Sequence, residues 1–172
     1  MPWRNGGGTT TEITIAPEGA AVSGERFVHR VSIADVEVDG PFSRFQGYDR
    51  HIMLLEGAGM TLECGAHGSI ELRPFEPRSF SGDWEVNGRL VGGPVRDFNV
   101  IVDRVRAAAT VAVRLLSAPE TMVVTSGETC IVHVISGDVG HAAAGDTIVA
   151  DAAFTLEPRL PARVAIARVV AR

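Results

Sequence analysis

His51-Ile52-Met53-Leu54-Leu55-Glu56-Gly57-Ala58-Gly59 and Cys130-Ile131-Val132-His133-Val134-Ile135-Ser136-Gly137-Asp138 share one grammar, an apolar run that ends in a glycine turn. Short apolar runs bounded by turn residues read as buried strands, since helices need longer periodic stretches. A spacer follows each run, and then a Gly-Asp turn beside a further strand. In the first half this is Pro74-Phe75-Glu76-Pro77-Arg78-Ser79-Phe80-Ser81-Gly82-Asp83-Trp84, in the second Ala144-Gly145-Asp146-Thr147-Ile148. The rest of the chain keeps the same rhythm of Val, Ile, Leu and Thr runs punctuated by Gly, Pro, Asp and Asn, as at Asp39-Gly40-Pro41.

The expectation is an all-β chain made of two tandem cupin-like sandwich or barrel units, a bicupin. Residues 1–104 form the N-terminal unit with the pocket, and residues 105–172 the C-terminal unit, packed as one compact body. Helical periodicity is scarce. Val105 to Leu116 contains Ala107-Ala108-Ala109, which favours helix, but Val111, Val113 and Leu115 alternate as in a strand, so it reads as a linker feeding a strand.

Bulk properties exclude several function classes. The 172 residues carry a net charge of −5 with a pI near 5.5, and no Lys/Arg cluster is present to neutralise a duplex or an anionic bilayer. Nucleic acid and membrane are therefore not expected partners. Nothing approaches the roughly 20 apolar residues of a membrane span, and the N-terminus has no apolar signal core, so the cytoplasm is expected. Cys64 and Cys130 lack zinc spacing and read as buried reduced thiols. The histidines at 29, 51, 67, 133 and 141 occur singly. Glu128 and His133 face opposite sides of a strand, so no metal and no other cofactor is expected.

Polar residues gather in the first 100 positions. In Trp3-Arg4-Asn5-Gly6-Gly7-Gly8, consecutive glycines expose backbone N–H groups; the loop is either an anion nest or carries no ligand. Alternation along Phe27–Ile33 puts Arg30 and Ser32 on one face. An arginine among β-branched residues needs a carboxylate, either Asp49 or Asp97 of the chain or a bound acid. The turn-rich loop from Asp39 to Arg50 carries Ser43, Phe45, Asp49 and Arg50, suited to a cavity mouth. In Gly92–Ile101, Asp97 and Asn99 lie opposite Phe98 and Val100; Asn99 offers a donor and an acceptor, and Asp97 can fix an arginine.

Several of these motifs, in this order, resemble the HutD/Ves family: Met1-Pro2-Trp3-Arg4-Asn5-Gly6-Gly7-Gly8-Thr9-Thr10, Arg30-Val31-Ser32, Asp39-Gly40-Pro41-Phe42-Ser43 with Gly47-Tyr48-Asp49-Arg50, Phe80-Ser81-Gly82-Asp83, and Gly93 to Val100. The match covers Met1 to about Arg104. It implies a bicupin without a catalytic metal, and for the HutD branch a role in tuning histidine utilisation by binding formyl- or formiminoglutamate, or urocanate. Carried over position by position, the ligand-binding set is Trp3, Arg4, Asn5, Gly6, Gly7, Gly8, Arg30, Ser32, Ser43, Phe45, Asp49, Arg50, Asp83, Asp97 and Asn99. Family members usually have a longer lead before Pro2-Trp3, Lys at position 4 and Pro at 46.

Three readings follow. The first is a module that binds a small acidic metabolite, with Arg30 and the glycine backbone as anion readers. The second is a metal-independent enzyme, with Asp49, Asp83 or Asp97 as general acid or base. The third is an interaction protein, such as a homodimer, that uses the uncharged strand around Thr129–Val134; the same strand also reads as core.

Overall fold

The computed structural model describes residues 1, 7–20 and 26–172. The fold is all-β, and the chain divides into two compact units, Met1–Arg106 and Ala107–Arg172.

The first unit contains β1 (Gly8–Ala16), β2 (His29–Val36), β3 (Gly40–Pro41), β4 (Tyr48–Glu56), β5 (Met60–Glu63), β6 (Ser69–Leu72), β7 (Arg78–Ser81), β8 (Asn87–Leu90) and β9 (Val95–Asp103). They form a five-stranded sheet in the order β1-β2-β9-β4-β7 and a four-stranded sheet in the order β3-β8-β5-β6. Neighbouring strands in both sheets run antiparallel. The apolar core between the sheets takes Val36, Ile52, Leu54, Phe80 and Val95 from the first and Met60, Leu62 and Leu72 from the second, with Cys64 among them. Side chains on facing sheets interdigitate in this way because every second residue of a strand points inward.

Register decides what else shares that inner face. Val36 pairs with Val95, Ala34 with Asp97, Ser32 with Asn99 and Arg30 with Ile101 across β2 and β9. On the other side of β9, Leu54 pairs with Asp97, Ile52 with Asn99 and Arg50 with Ile101. Residues paired in this way point to the same side of the sheet. The inner face therefore grades along the strands from an apolar end at Val36 and Val95 to a polar end at Arg30 and Arg50.

The second unit contains β10 (Ala107–Leu116), β11 (Glu120–Met122), β12 (Glu128–Ser136), β13 (Asp138–Val139), β14 (Ala142–Ala143), β15 (Thr147–Ala150), β16 (Phe154–Leu156) and β17 (Ala162–Ala171). Its main sheet has the order β10-β17-β12-β15, accompanied by the pairs β11-β16 and β13-β14. The alanine run read as a linker is in fact the first part of β10, where Ala107, Ala108 and Ala109 pair with Ala171, Val170 and Val169. Ladder hydrogen bonds to β17 outweigh the weak helical preference of alanine. The uncharged stretch Thr129–Val134 of β12 is core: Cys130, Ile131, Val132 and Val134 are fully buried in a strand that pairs with β17 and β15. Cys64 and Cys130 are buried free thiols. Among the described residues no helix is long and apolar enough to cross a membrane.

The turn after β7 fixes the loop that rims the polar end. Gly82 donates to Tyr48 O and accepts from Phe45 N, both at 2.8 Å. A Cβ at Gly82 would lie 2.5 Å from Phe45 O and 2.9 Å from Tyr48 O. These are backbone atoms with no room to give, so Gly82→Ala is expected to lower stability by about 1–3 kcal/mol in urea unfolding. Unchanged stability would mean that the loop is not held at this point.

Candidate functional site

The polar end of the inner face opens into a cavity of about 660 Å³. β2 supplies Arg30, Ser32 and Ala34, β9 supplies Asp97, Asn99 and Ile101, and β4 supplies Arg50. The segment after β3 adds Phe42, Ser43 and Phe45, and Thr10 of β1 lies across from them.

Arg50 is the centre of this arrangement. It occupies the inward register of Ile52 and Leu54 and is only 5% exposed. Its Nη2 donates to Asn99 Oδ1 at 2.8 Å, and its Nη1 to Ser43 O at 3.2 Å. The rings of Phe80, Phe42 and Phe45 lie 4.9, 5.3 and 5.5 Å from the guanidinium carbon, a cation–π enclosure that offsets part of the desolvation cost. Burial lowers the Arg50 guanidinium to about 10, partly opposed by Asp97, so it remains a cation at neutral pH.

Asn99 relays the contact. Its Nδ2 donates to Asp97 Oδ1. Asp97 is fully buried, with apolar Ala34 and Leu54 as its cross-strand neighbours. Burial pushes its carboxyl up to about 7, against the pull of Arg50 and with the push of Asp35. Among the described residues, two buried atoms of this network, Arg50 Nε and Asp97 Oδ2, have no hydrogen-bond partner. Buried polar groups are nearly always paired, and an orphan of this kind calls for an explanation such as a ligand.

The expected partner of Arg30 is corrected. It pairs neither with Asp49 nor with Asp97 but with Glu12, at 2.9 Å. An irregularity in β1 between Glu12 and Thr14 sets Glu12 opposite Ser32, on the face Arg30 shares. Arg30 nonetheless lines the cavity, with Ser32 on the same side.

Asp49 and Asp83 are drawn elsewhere. Arg104 donates from Nε to Asp49 at 2.9 Å and from Nη1 to Asp83 at 2.7 Å, while its Nη2 reaches Tyr48 O and Ser81 Oγ, each at 2.8 Å. Asp83 also accepts from Gly47 N at 2.7 Å. That backbone bond, with Arg104 and Ser81, holds its carboxyl down at about 2. The cluster ties the ends of β4, β7 and β9 together, and neither acid is among the cavity residues.

Gly7 and Gly8 serve β1. Gly7 O accepts from Glu37 N at 3.0 Å, and a Cβ at Gly8 would run into Asp35 O. Trp3, Arg4, Asn5 and Gly6 lie outside the described residues. Phe80, Thr10 and Glu12 add to the expected residues, while Phe42 belongs to the loop expected at the cavity mouth. The signal for the aromatic enclosure was legible all the same, because an arginine in the inward register of an apolar strand must be surrounded by something. No group of three or more His, Cys, Asp or Glu among the described residues is arranged to hold a metal ion.

Comparison with known proteins gives the family and the fold. A curated relative, the uncharacterized 21.2 kDa protein in the hutC 3′ region of Pseudomonas putida, is 48% identical over 101 residues, or 59% of this chain. The chain spans about half of that relative's length, 52%. A conserved protein of unknown function from Pseudomonas aeruginosa PAO1 has the same fold with a TM-score of 0.88 at 33% identity, covering 99% of this chain and 93% of its own. HutD from Pseudomonas fluorescens SBW25, solved in a formate condition, gives 0.83 at 32% identity, covering 100% and 93%. The likeness to the cupin 2 conserved barrel domain protein from Leptotrichia buccalis, TM-score 0.52 at 8% identity over 96% of this chain and 89% of that one, concerns the fold alone and makes it cupin-like. The HutD family model matches residues 1–168. The chain belongs to the HutD family, which is tied to the histidine-utilisation genes.

Proposed function

We propose that the protein binds a small acidic metabolite in the cavity of its first unit and thereby tunes histidine utilisation. The observation that carries this is Arg50: a buried cation whose Nε–H has no partner among the described residues, at the wall of a cavity large enough for a small acid. Arginine favours carboxylates because its planar fork matches them. Arg30 has its own carboxylate in Glu12, so Arg50 takes over the reader's role, with Ser32 and Asn99 completing the polar contacts. The family's genetic setting directs the choice of acid to formylglutamate, formiminoglutamate or urocanate. Asp49 and Asp83 support the rim and do not touch the ligand. In this reading the two units form a bicupin, the first a binding unit and the second a companion sandwich.

A second reading draws on Asp97. A carboxyl raised to about 7 in a cavity wall suits general acid or base chemistry on such an acid without a metal. Of the three aspartates considered for that role only Asp97 lines the cavity.

Thermal-shift titration with the three acids tests the first reading. One acid should raise the melting temperature progressively with the logarithm of its concentration, a stabilisation of about 2.7 kcal/mol at 100 times its Kd. Arg50→Met should weaken binding roughly 10- to 150-fold, corresponding to about 1.5–3 kcal/mol for a charged hydrogen-bond pair. Arg30→Ala should cost less, and the reverse order would move the anion reader to Arg30. Turnover of the bound acid, abolished in Asp97→Asn, would favour the enzyme.

The raised Asp97 carboxyl also has a consequence for stability. Its folded value of about 7 exceeds the unfolded value of about 3.9, so between those values the folded state holds a proton that the unfolded state has released. The Asp97 contribution to stability therefore falls as pH rises from about 4 to about 7 and levels off above, at a slope on the order of 1 kcal/mol per pH unit. Burial lowers His29 and His51 below their usual range, which gives the opposite slope. The readout is accordingly the difference in urea-unfolding free energy between wild type and Asp97→Asn at pH 5, 6, 7 and 8. A difference constant across that range would place Asp97 in the ordinary carboxylate range.

A further inference from the structure

The direction of each hydrogen bond in the cavity wall can be read from one end. Arginine only donates, so the Asn99 atom facing Arg50 Nη2 is the carbonyl oxygen. The amide nitrogen of Asn99 must then face Asp97, and it donates to Oδ1. Since Oδ1 is an acceptor, any proton on the Asp97 carboxyl sits on Oδ2. That atom and Arg50 Nε are the two atoms of the network without a partner among the described residues.

The groups facing Asp97 leave it without a direct cation. Arg50 of β4 gives its Nη2 to Asn99, and no ion pair joins it to Asp97 among the described residues. Arg30 of β2 is held by Glu12 of β1. Asp35 of β2 is a further negative charge, paired with Arg96 at 3.3 Å and accepting from Thr9 Oγ1 at 3.2 Å. Thr10 of β1 pairs with Ala34 in the same cross-strand row.

Charge counting then separates two states. With Asp97 ionised, the wall carries one buried cation and one buried anion, and an incoming anion meets a neutral site. With Asp97 neutral, the wall keeps the net positive charge of Arg50, which an anion complements. We propose that the cavity takes up an anion and a proton together, the proton from solvent lodging on Asp97 Oδ2 while the anion lies against Arg50. Burial of Asp97 keeps both states within reach at neutral pH. The inference rests on the binding role proposed above and adds a ligand class: acids that arrive fully ionised and are held beside a neutral carboxyl. Asp97 becomes the specificity-determining group, and Asn99 the positioning residue that decides which of its oxygens holds the proton.

Isothermal titration of the full chain with formylglutamate and with urocanate tests this from pH 7.5 to 9, where neither carboxylate titrates. The Kd is expected to rise about tenfold per pH unit. At pH 8, the dependence of the measured heat on the ionisation heat of the buffer should give an uptake close to one proton per bound acid. Asp97→Asn should bind with an affinity independent of pH and with no uptake. The uptake is measured on the wild-type chain, so the test holds even where the variant folds poorly. Binding without uptake and with constant affinity overturns the proposal and leaves the binding role standing; no binding of either acid overturns both.

Discussion

A guanidinium placed in the inward register of a β-strand has to be enclosed and partnered, and the first unit is built around that requirement. Arg50 follows the same alternation that sends Ile52 and Leu54 into the core. Three phenylalanine rings, one backbone carbonyl and one amide oxygen surround it. Asn99 passes the polarity on to Asp97, which sits deeper, among apolar neighbours. Core and cavity are thus two ends of one surface, and register places the boundary between Ile52 and Arg50 on β4.

Supporting elements act on that boundary from outside it. Arg104 gathers Asp49, Asp83, Ser81 and the Tyr48 carbonyl at the ends of three strands. Gly82 stitches the turn after β7 to the segment carrying Phe45. Together they fasten the segment that carries Phe45, one of the rings around Arg50. Glu12 has a comparable place at the other side, keeping Arg30 engaged so that two arginines can line one cavity without both demanding an anion.

Much of this was legible in the sequence. Apolar runs with glycine turns gave the strands β4 and β12, and alternation correctly put Arg30 with Ser32 and Asp97 with Asn99. Pairing between distant segments was harder to read. On sequence the candidate partners of Arg30 are Asp49, Asp97 and a bound acid, whereas Glu12 pairs with it across an irregular stretch of β1 that spacing does not disclose. Asp49 and Asp83 looked like cavity acids for the same reason, since nothing local announces that Arg104 collects them. The strand state of the alanines at the start of β10 depends on β17, about 60 residues away, and so is not written in their own local pattern. Local chemistry carried the inward-facing residues; long-range register carried the ion pairs.

The two buried thiols have a use beyond packing. Cys64 belongs to the core of the first unit and Cys130 to that of the second. A thiol reagent reaches such a group only when its surroundings open, so each unit carries its own clock for opening events. Labelling rates at the two positions, followed separately by peptide mass, report whether the halves breathe independently or as a single cooperative body. A ligand that closes the cavity around Arg50 would slow the clock at Cys64, and the echo of that slowing at Cys130 measures how strongly one half senses the other.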